Sequence, residues 1–256
     1  MSSITKTEYK TITGLAAIFS LRMLGLFMIL PVFSVYANQL NYVTPTRIGI
    51  ALGIYGLTQA LLQIPFGFVS DWLGRKPIIL FGLVLFSAGS VTAAISDSIF
   101  GVIIGRALQG AGAVGCVIMA LATDLTREEV RIRAMAVIGV TIGLSFALAM
   151  ILGPVLDQHI GVTGIFWLSA FFAVIAIVVL FIWIPSPNLE PNLAPNLGPN
   201  QNSKQNSTVL RGSASTEETS IHLPTMTSIP KVFKDSNLVR LNLGILILHA
   251  SLTALF

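Results

Sequence analysis

Six stretches of about twenty mostly apolar residues, each bounded by polar turns, leave this chain few ways to fold. They fall near Ile12–Ala37, Ile48–Ser70, Pro77–Ile95, Ile99–Thr123, Ala134–Leu156 and Thr163–Ile184. A seventh starts near Leu238 and is still apolar at Phe256. A bilayer core about 30 Å thick is crossed by about twenty helical residues. Backbone N–H and C=O groups in lipid find no water, so each stretch is expected to be an α-helix. Soluble domains carry roughly 25% charged residues. This chain carries 10%, against 54% hydrophobic, with a mean hydropathy of +0.83. A soluble core cannot enclose that much apolar surface, so the lipid bilayer is the expected surrounding. The polar start, "MSSITKTEYK", leads into a long apolar run with no small-residue cleavage site, which reads as a retained first span.

Composition also excludes function classes. The lone cysteine, Cys116, rules out an internal disulfide framework and any CxxC metal site. No HExxH, GxSxG or Walker-type loop occurs, and His159, His222 and His249 are dispersed, so no enzyme, cofactor or metal site is expected. A net charge of +4 does not imply nucleic acid, because the bases lie between apolar spans. Lys6, Lys10, Arg75, Lys76, Arg127, Arg131, Arg133, Lys204, Arg211, Lys231, Lys234 and Arg240 fall on one side, and only Arg47 lies in a loop on the other. Positive loops stay inside, so the N-terminus is expected to be cytoplasmic in a multi-pass inner (plasma) membrane protein.

The chain divides into a cytoplasmic N-terminus (1–11), a six-span bundle (12–184), a linker (185–237) and a partial seventh span (238–256). The linker opens "PSPNLEPNLAPNLGPNQNSKQNS", a Pro-Asn-Leu-x repeat. Proline every fourth residue prevents helix and sheet, so a disordered tether is expected.

"GFVSDWLGRKP", Gly67 to Pro77, places charges between the second and third spans. Gly67 permits close helix approach, and Gly74 permits a turn with positive φ. Asp71 can pair with Arg75 or a base elsewhere, a cluster suited to a two-state latch. Arg75 and Lys76 also read as plain positive-inside anchors.

Taken together with "RALQGAGA" (Arg106–Ala113) and "AMILGP" (Ala149–Pro154), this turn resembles the signature pattern of the major facilitator superfamily. The wording of the first two spans and "DLTREEVR" is similar to the YajR-like subgroup of drug/proton antiporters, N-terminal half only. Trp72 stands where that family usually has arginine, and Asp157 and Gln158 replace glycines that often follow Gly-Pro. The resemblance implies an all-α membrane protein: a six-helix N-terminal bundle of a major facilitator fold plus a truncated seventh transmembrane helix. It further implies secondary active, proton-coupled efflux of small amphipathic molecules by alternating access. The alternative expectation is a truncated, inactive or split-gene half-transporter that needs a separately encoded C-terminal half.

Several residues are candidates for the substrate or proton pathway. Arg22 lies about ten residues into the first span, roughly 15 Å deep at 1.5 Å per residue. A charge there is expected to face a cavity or partner: a carbonyl, an amide such as Gln59, an acid of the missing half, or an anionic substrate group. Gly49, Gly53, Gly56, Ala60 and Gly67 form one stripe of the second span, read as a helix-packing surface. Gln59 and Gln63 flank it, to be satisfied by a neighbouring helix or by substrate. Arg106, Gln109, Gly110 and Ala113 are spaced to share a face of the fourth span. The resemblance makes Arg106 a proton-shuttle residue; a structural hydrogen-bond hub is the alternative. Titratable candidates are Asp71, Asp124, Asp157 and His249. Asp124 is expected either to join the Asp71–Arg75 cluster or to lie in a solvated loop. Gly153 and Pro154 read as a hinge or a helix end.

Overall fold

The computed structural model describes residues 5–184. The linker, the partial seventh span and His249 lie outside the described residues. Within them the chain is all-helical, with no strand: α1 (Lys6–Phe27), α2 (Leu30–Ala37), α3 (Pro45–Leu73), α4 (Arg75–Ala94), α5 (Ile99–Ala111), α6 (Gly115–Asp124) and α7 (Glu128–Trp183). Five stretches are long and apolar enough to cross a membrane: Glu8–Ala37, Pro45–Leu73, Arg75–Ala94, Ile99–Asp124 and Glu128–Trp183.

The last stretch makes two crossings. Its 56 residues would extend about 84 Å as one rod, nearly three bilayer cores. Gly161, with φ 66° and ψ 173°, breaks the helical geometry where only glycine is comfortable. Contacts with the first span show the reversal. Glu8 meets Arg127, Ser20 meets Ser145 and Met28 meets Gly153, so the fifth span runs alongside in the same direction. Beyond Gly161, Tyr36 meets Thr163, Gly25 meets Ser169 and Gly14 meets Trp183, so the sixth span runs back. Six crossings result.

Two spans are interrupted. Pro31 has no N–H for the Phe27 carbonyl, and α1 gives way to α2 at Met28 and Ile29. The fourth span unwinds at Gly112–Val114, where the Val114 N–H bonds the Gly112 carbonyl at 2.8 Å. That irregular backbone is buried in protein, which membrane depth requires. Ala113 therefore does not continue the helical face of Arg106, Gln109 and Gly110, because α5 ends at Ala111.

Among the described residues apolar side chains form two large buried clusters, one around Ile18, Leu83, Phe86, Ile118 and Leu121, the other around Met28, Phe33, Ala51, Ile99 and Phe166, and a small third of Ile12, Val130 and Ala134. Lipid tails are as apolar as leucine, so close packing rather than water exclusion joins the spans. Glycines supply it between α4 and α5: a methyl on Gly89 would stand 2.5 Å from the Gln109 nitrogen and 2.6 Å from the Gly105 oxygen. The second-span stripe differs: among the described residues, Cβ atoms added at Gly49, Gly53 or Gly56 would meet nothing within 4 Å. Gly139 and Gly143 of the fifth span are equally open.

Candidate functional site

Two groups of polar residues stand out in the bundle. The first lies where α3 gives way to α4. Gly74 there has φ 91°, and it separates the two helices without a loop. Arg75 pairs with Asp71, donates to Asp124 Oδ2 from Nε at 3.1 Å, and donates to Ser70 Oγ at 2.7 Å. The Ser70 hydroxyl in turn bonds the Gly67 carbonyl at 2.6 Å. Asp124 therefore joins the Asp71–Arg75 cluster rather than standing free, and it ties the end of the second span to that of the fourth. Its side chain is 47% exposed and that of Asp71 40%, so solvent weakens both pairs to roughly 0.2–1 kcal/mol. Lys76 turns elsewhere: Nζ donates to the Ile184 carbonyl at 2.8 Å and lies 5.5 Å from the centre of the Phe181 ring. Trp72 is 86% exposed beside this cluster.

A neighbouring contact was not foreseen from the sequence. Arg127 donates from Nε to Glu8 Oε1 at 2.8 Å and from Nη2 to Oε2 at 3.0 Å, clamping the start of the first span to the start of the fifth. The bond to Glu8 raises the Arg127 guanidinium above its ordinary range. Glu8 also closes a capping box with Thr5. The T-x-x-E spacing was a legible sign of the cap; the partner 119 residues away was not.

The second group is buried in mid-span and centres on Tyr55. Arg106 lies with its guanidinium carbon 5.1 Å from the Tyr55 ring centre, donating to Gln109 Oε1 at 3.1 Å and to the Ala51 carbonyl at 3.5 Å. Gln109 passes the chain to Ser90 at 2.8 Å, and Ser90 to the Phe86 carbonyl at 2.9 Å. Arg22 approaches the same tyrosine from the first span, donating from Nη2 to the hydroxyl at 3.1 Å, with its guanidinium 5.6 Å from the Phe86 ring centre. Its Nε and Nη1 have no partner, nor does Gln59 Oε1. None of the partners expected for Arg22 is bonded to it among the described residues; the Tyr55 hydroxyl is.

The remaining candidates separate. Gln63 is exposed, and its backbone carbonyl accepts from Cys116 Sγ at 3.2 Å. Gly110 packs on the Tyr55 carbonyl, making it a helix-contact position. Gly153 packs on the Met28 carbonyl beside Pro31, and α7 continues through Pro154 to the break at Gly161. Asp157 is half-buried near that break.

A charge at mid-membrane costs about 2.5–3.5 kcal/mol even on the gentler insertion scales. A single face-on aromatic contact offsets about 0.5–2 kcal/mol of it. Arg22, with no acid beside it among the described residues and two unbonded nitrogens, is therefore an expense that packing alone does not explain. A bundle of membrane-crossing helices that keeps ionic groups at this depth has the build of a polytopic transport protein.

Comparison with known proteins agrees. The chain belongs to the Major Facilitator Superfamily, whose family model matches residues 15–256. It is 45% identical over 253 residues to the inner membrane transport protein YajR of Escherichia coli K12, covering 99% of this chain and 50% of that protein. It is also 45% identical over 183 residues to an uncharacterized transporter of Buchnera aphidicola subsp. Schizaphis graminum, covering 72% of this chain and 47% of the relative. Among solved structures, a bacterial homologue of the human lysosomal transporter Spinster, in an inward-facing state, aligns with a TM-score of 0.63 at 15% identity. That alignment covers 72% of this chain and 44% of the other, and it concerns the fold alone. The chain spans about half the length of the curated relatives it matches.

Proposed function

We propose that these residues form one bundle of a secondary active transporter that moves small amphipathic molecules out across the inner membrane by alternating access. In this reading protons drive the flux, the N-terminus is cytoplasmic, and a second bundle completes the cargo path. The observation that carries the reading is the open small-residue face of the second and fifth spans. A Cβ added at Gly49, Gly53, Gly56, Gly139 or Gly143 would meet nothing within 4 Å among the described residues, although small residues in a membrane serve close helix contact. A second bundle seated there would enclose the mid-span group between two halves, the arrangement in which transporters rock around a central site. The Arg75 pairs with Asp71 and Asp124 then act as a latch, weak enough to break in each cycle. The twelve-to-one distribution of loop bases supports the orientation.

Reconstitution tests the proposal. The two-bundle protein in liposomes is expected to move at least one of a cationic and an anionic amphipathic dye only when a pH gradient is imposed, and residues 1–256 alone are expected to move none. Proton-independent flux, or equal flux from residues 1–256, would overturn it. Orientation is read separately: a cysteine placed at Trp72 should resist an impermeant thiol reagent added outside intact cells, and labelling there would reverse the assignment.

A further inference from the structure

We infer that Arg22 and Tyr55 form an internal subsite for the carboxylate of an anionic cargo, between the first, second and third spans. The inference rests on the transport reading above and adds a substrate class to it.

The two buried guanidinium groups differ in one respect. Arg106 is bonded from Nε and Nη1, to Ala51 and Gln109, so its place is explained by structure. Arg22 is only 1% exposed, yet among the described residues Nε and Nη1 have no acceptor. A guanidinium carries five N–H donors and cannot shed its charge to suit its surroundings. Glu8 is the one acid buried among the described residues, and Arg127 occupies it. Arg22 therefore holds free donors and an uncompensated charge at a depth where neither is tolerated without a counter-group.

The surroundings suit an anion rather than a water. The Tyr55 hydroxyl accepts from Arg22, which leaves its own proton to donate to an incoming oxygen. Behind the Tyr55 ring stands Arg106, a second positive charge. Gln59, one turn along α3, has a buried unbonded amide oxygen, and rotation of that amide presents its N–H groups instead. The Phe86 ring covers the guanidinium and offers an apolar surface beside it. Tyr55 is itself only 8% exposed, so entry of a carboxylate requires this side chain to move aside.

The test uses the purified full-length protein with benzoate, phenylacetate and octanoate, each against its own amide. The carboxylates are expected to raise the thermal unfolding midpoint saturably, and the amides to leave it unmoved. Arg22→Met should weaken the carboxylate response by about tenfold or more, while Arg22→Lys retains part of it. Equal response to acid and amide, no response to any acid, or an unchanged response in Arg22→Met would overturn the subsite and leave Arg22 to an acid of the protein itself. Should Arg22→Met fail to fold, Tyr55→Phe decides: the carboxylate response should drop several-fold, and an unaltered one overturns the inference. Proton-driven dye flux without any carboxylate response would sink the subsite and spare the transport reading. Carboxylate binding without flux would do the reverse.

Discussion

The same residue type plays opposite parts in two regions of this bundle. Between α4 and α5, Gly82, Gly89, Gly105 and Gly112 bring backbones into contact, with no room for even one added carbon. On the second and fifth spans, a Cβ added at Gly53, Gly56, Gly139 or Gly143 would meet nothing within 4 Å among the described residues. Small residues in a span announce that something comes close; they do not say whether the neighbour is in the same bundle. The closed interface also carries the saturated polar chain from Arg106 through Gln109 to Ser90. Among the described residues, the open glycine positions carry no such chain.

Four substitutions sharpen or break this contrast. Gly89→Leu should do the most damage, because backbone atoms cannot move aside as side chains do. Overpacking costs about 1–3 kcal/mol where neighbours can yield, so a loss on the order of 3 kcal/mol or more is expected here. It would appear as aggregation of a fluorescent fusion in size-exclusion chromatography. Arg106→Met comes next: it strands the buried oxygen of Gln109, worth about 1–3 kcal/mol. Arg106→Met combined with Gln109→Leu should recover part of the lost thermal midpoint, and an additive loss would show that the two do not act as a unit. Asp124→Asn removes the half-exposed pair that ties the open second span to the closed fourth, at about 0.2–1 kcal/mol. Its signature should instead be a shift in the balance of conformations, read as altered accessibility of a cysteine at Gly53. Gly53→Leu should leave the stability of residues 1–256 within about 0.5 kcal/mol, read from the thermal midpoint, while lowering flux in the two-bundle protein. A large loss of stability in that bundle would break the contrast.

The crossings are legible in the sequence because hydropathy over about twenty residues is a sum that tolerates local error. The windows match the helices closely, with charged ends such as Pro45–Leu73 running past the apolar part. Positive φ at Gly74 is legible too, since the turn leaves no room for a loop. What the sequence hides is pairing. Nothing in "GIALGIYGLTQA" distinguishes an open stripe from a packed one, and nothing near Glu8 points to Arg127. The unwinding at Gly112–Val114 was signalled only by the glycines of "QGAGAVG", which read equally well as a packing motif. Arg22 was visible as a costly residue, but its tyrosine partner could come only from coordinates.

One bond at the edge of the bundle has a mechanical meaning. Lys76 holds the carbonyl of Ile184, where the sixth span ends and the chain runs on toward residue 256. Tension arriving through that connection is therefore passed to the first turn of the third span, one residue from Arg75. A pull from beyond the bundle would thus load the helix that carries Arg75.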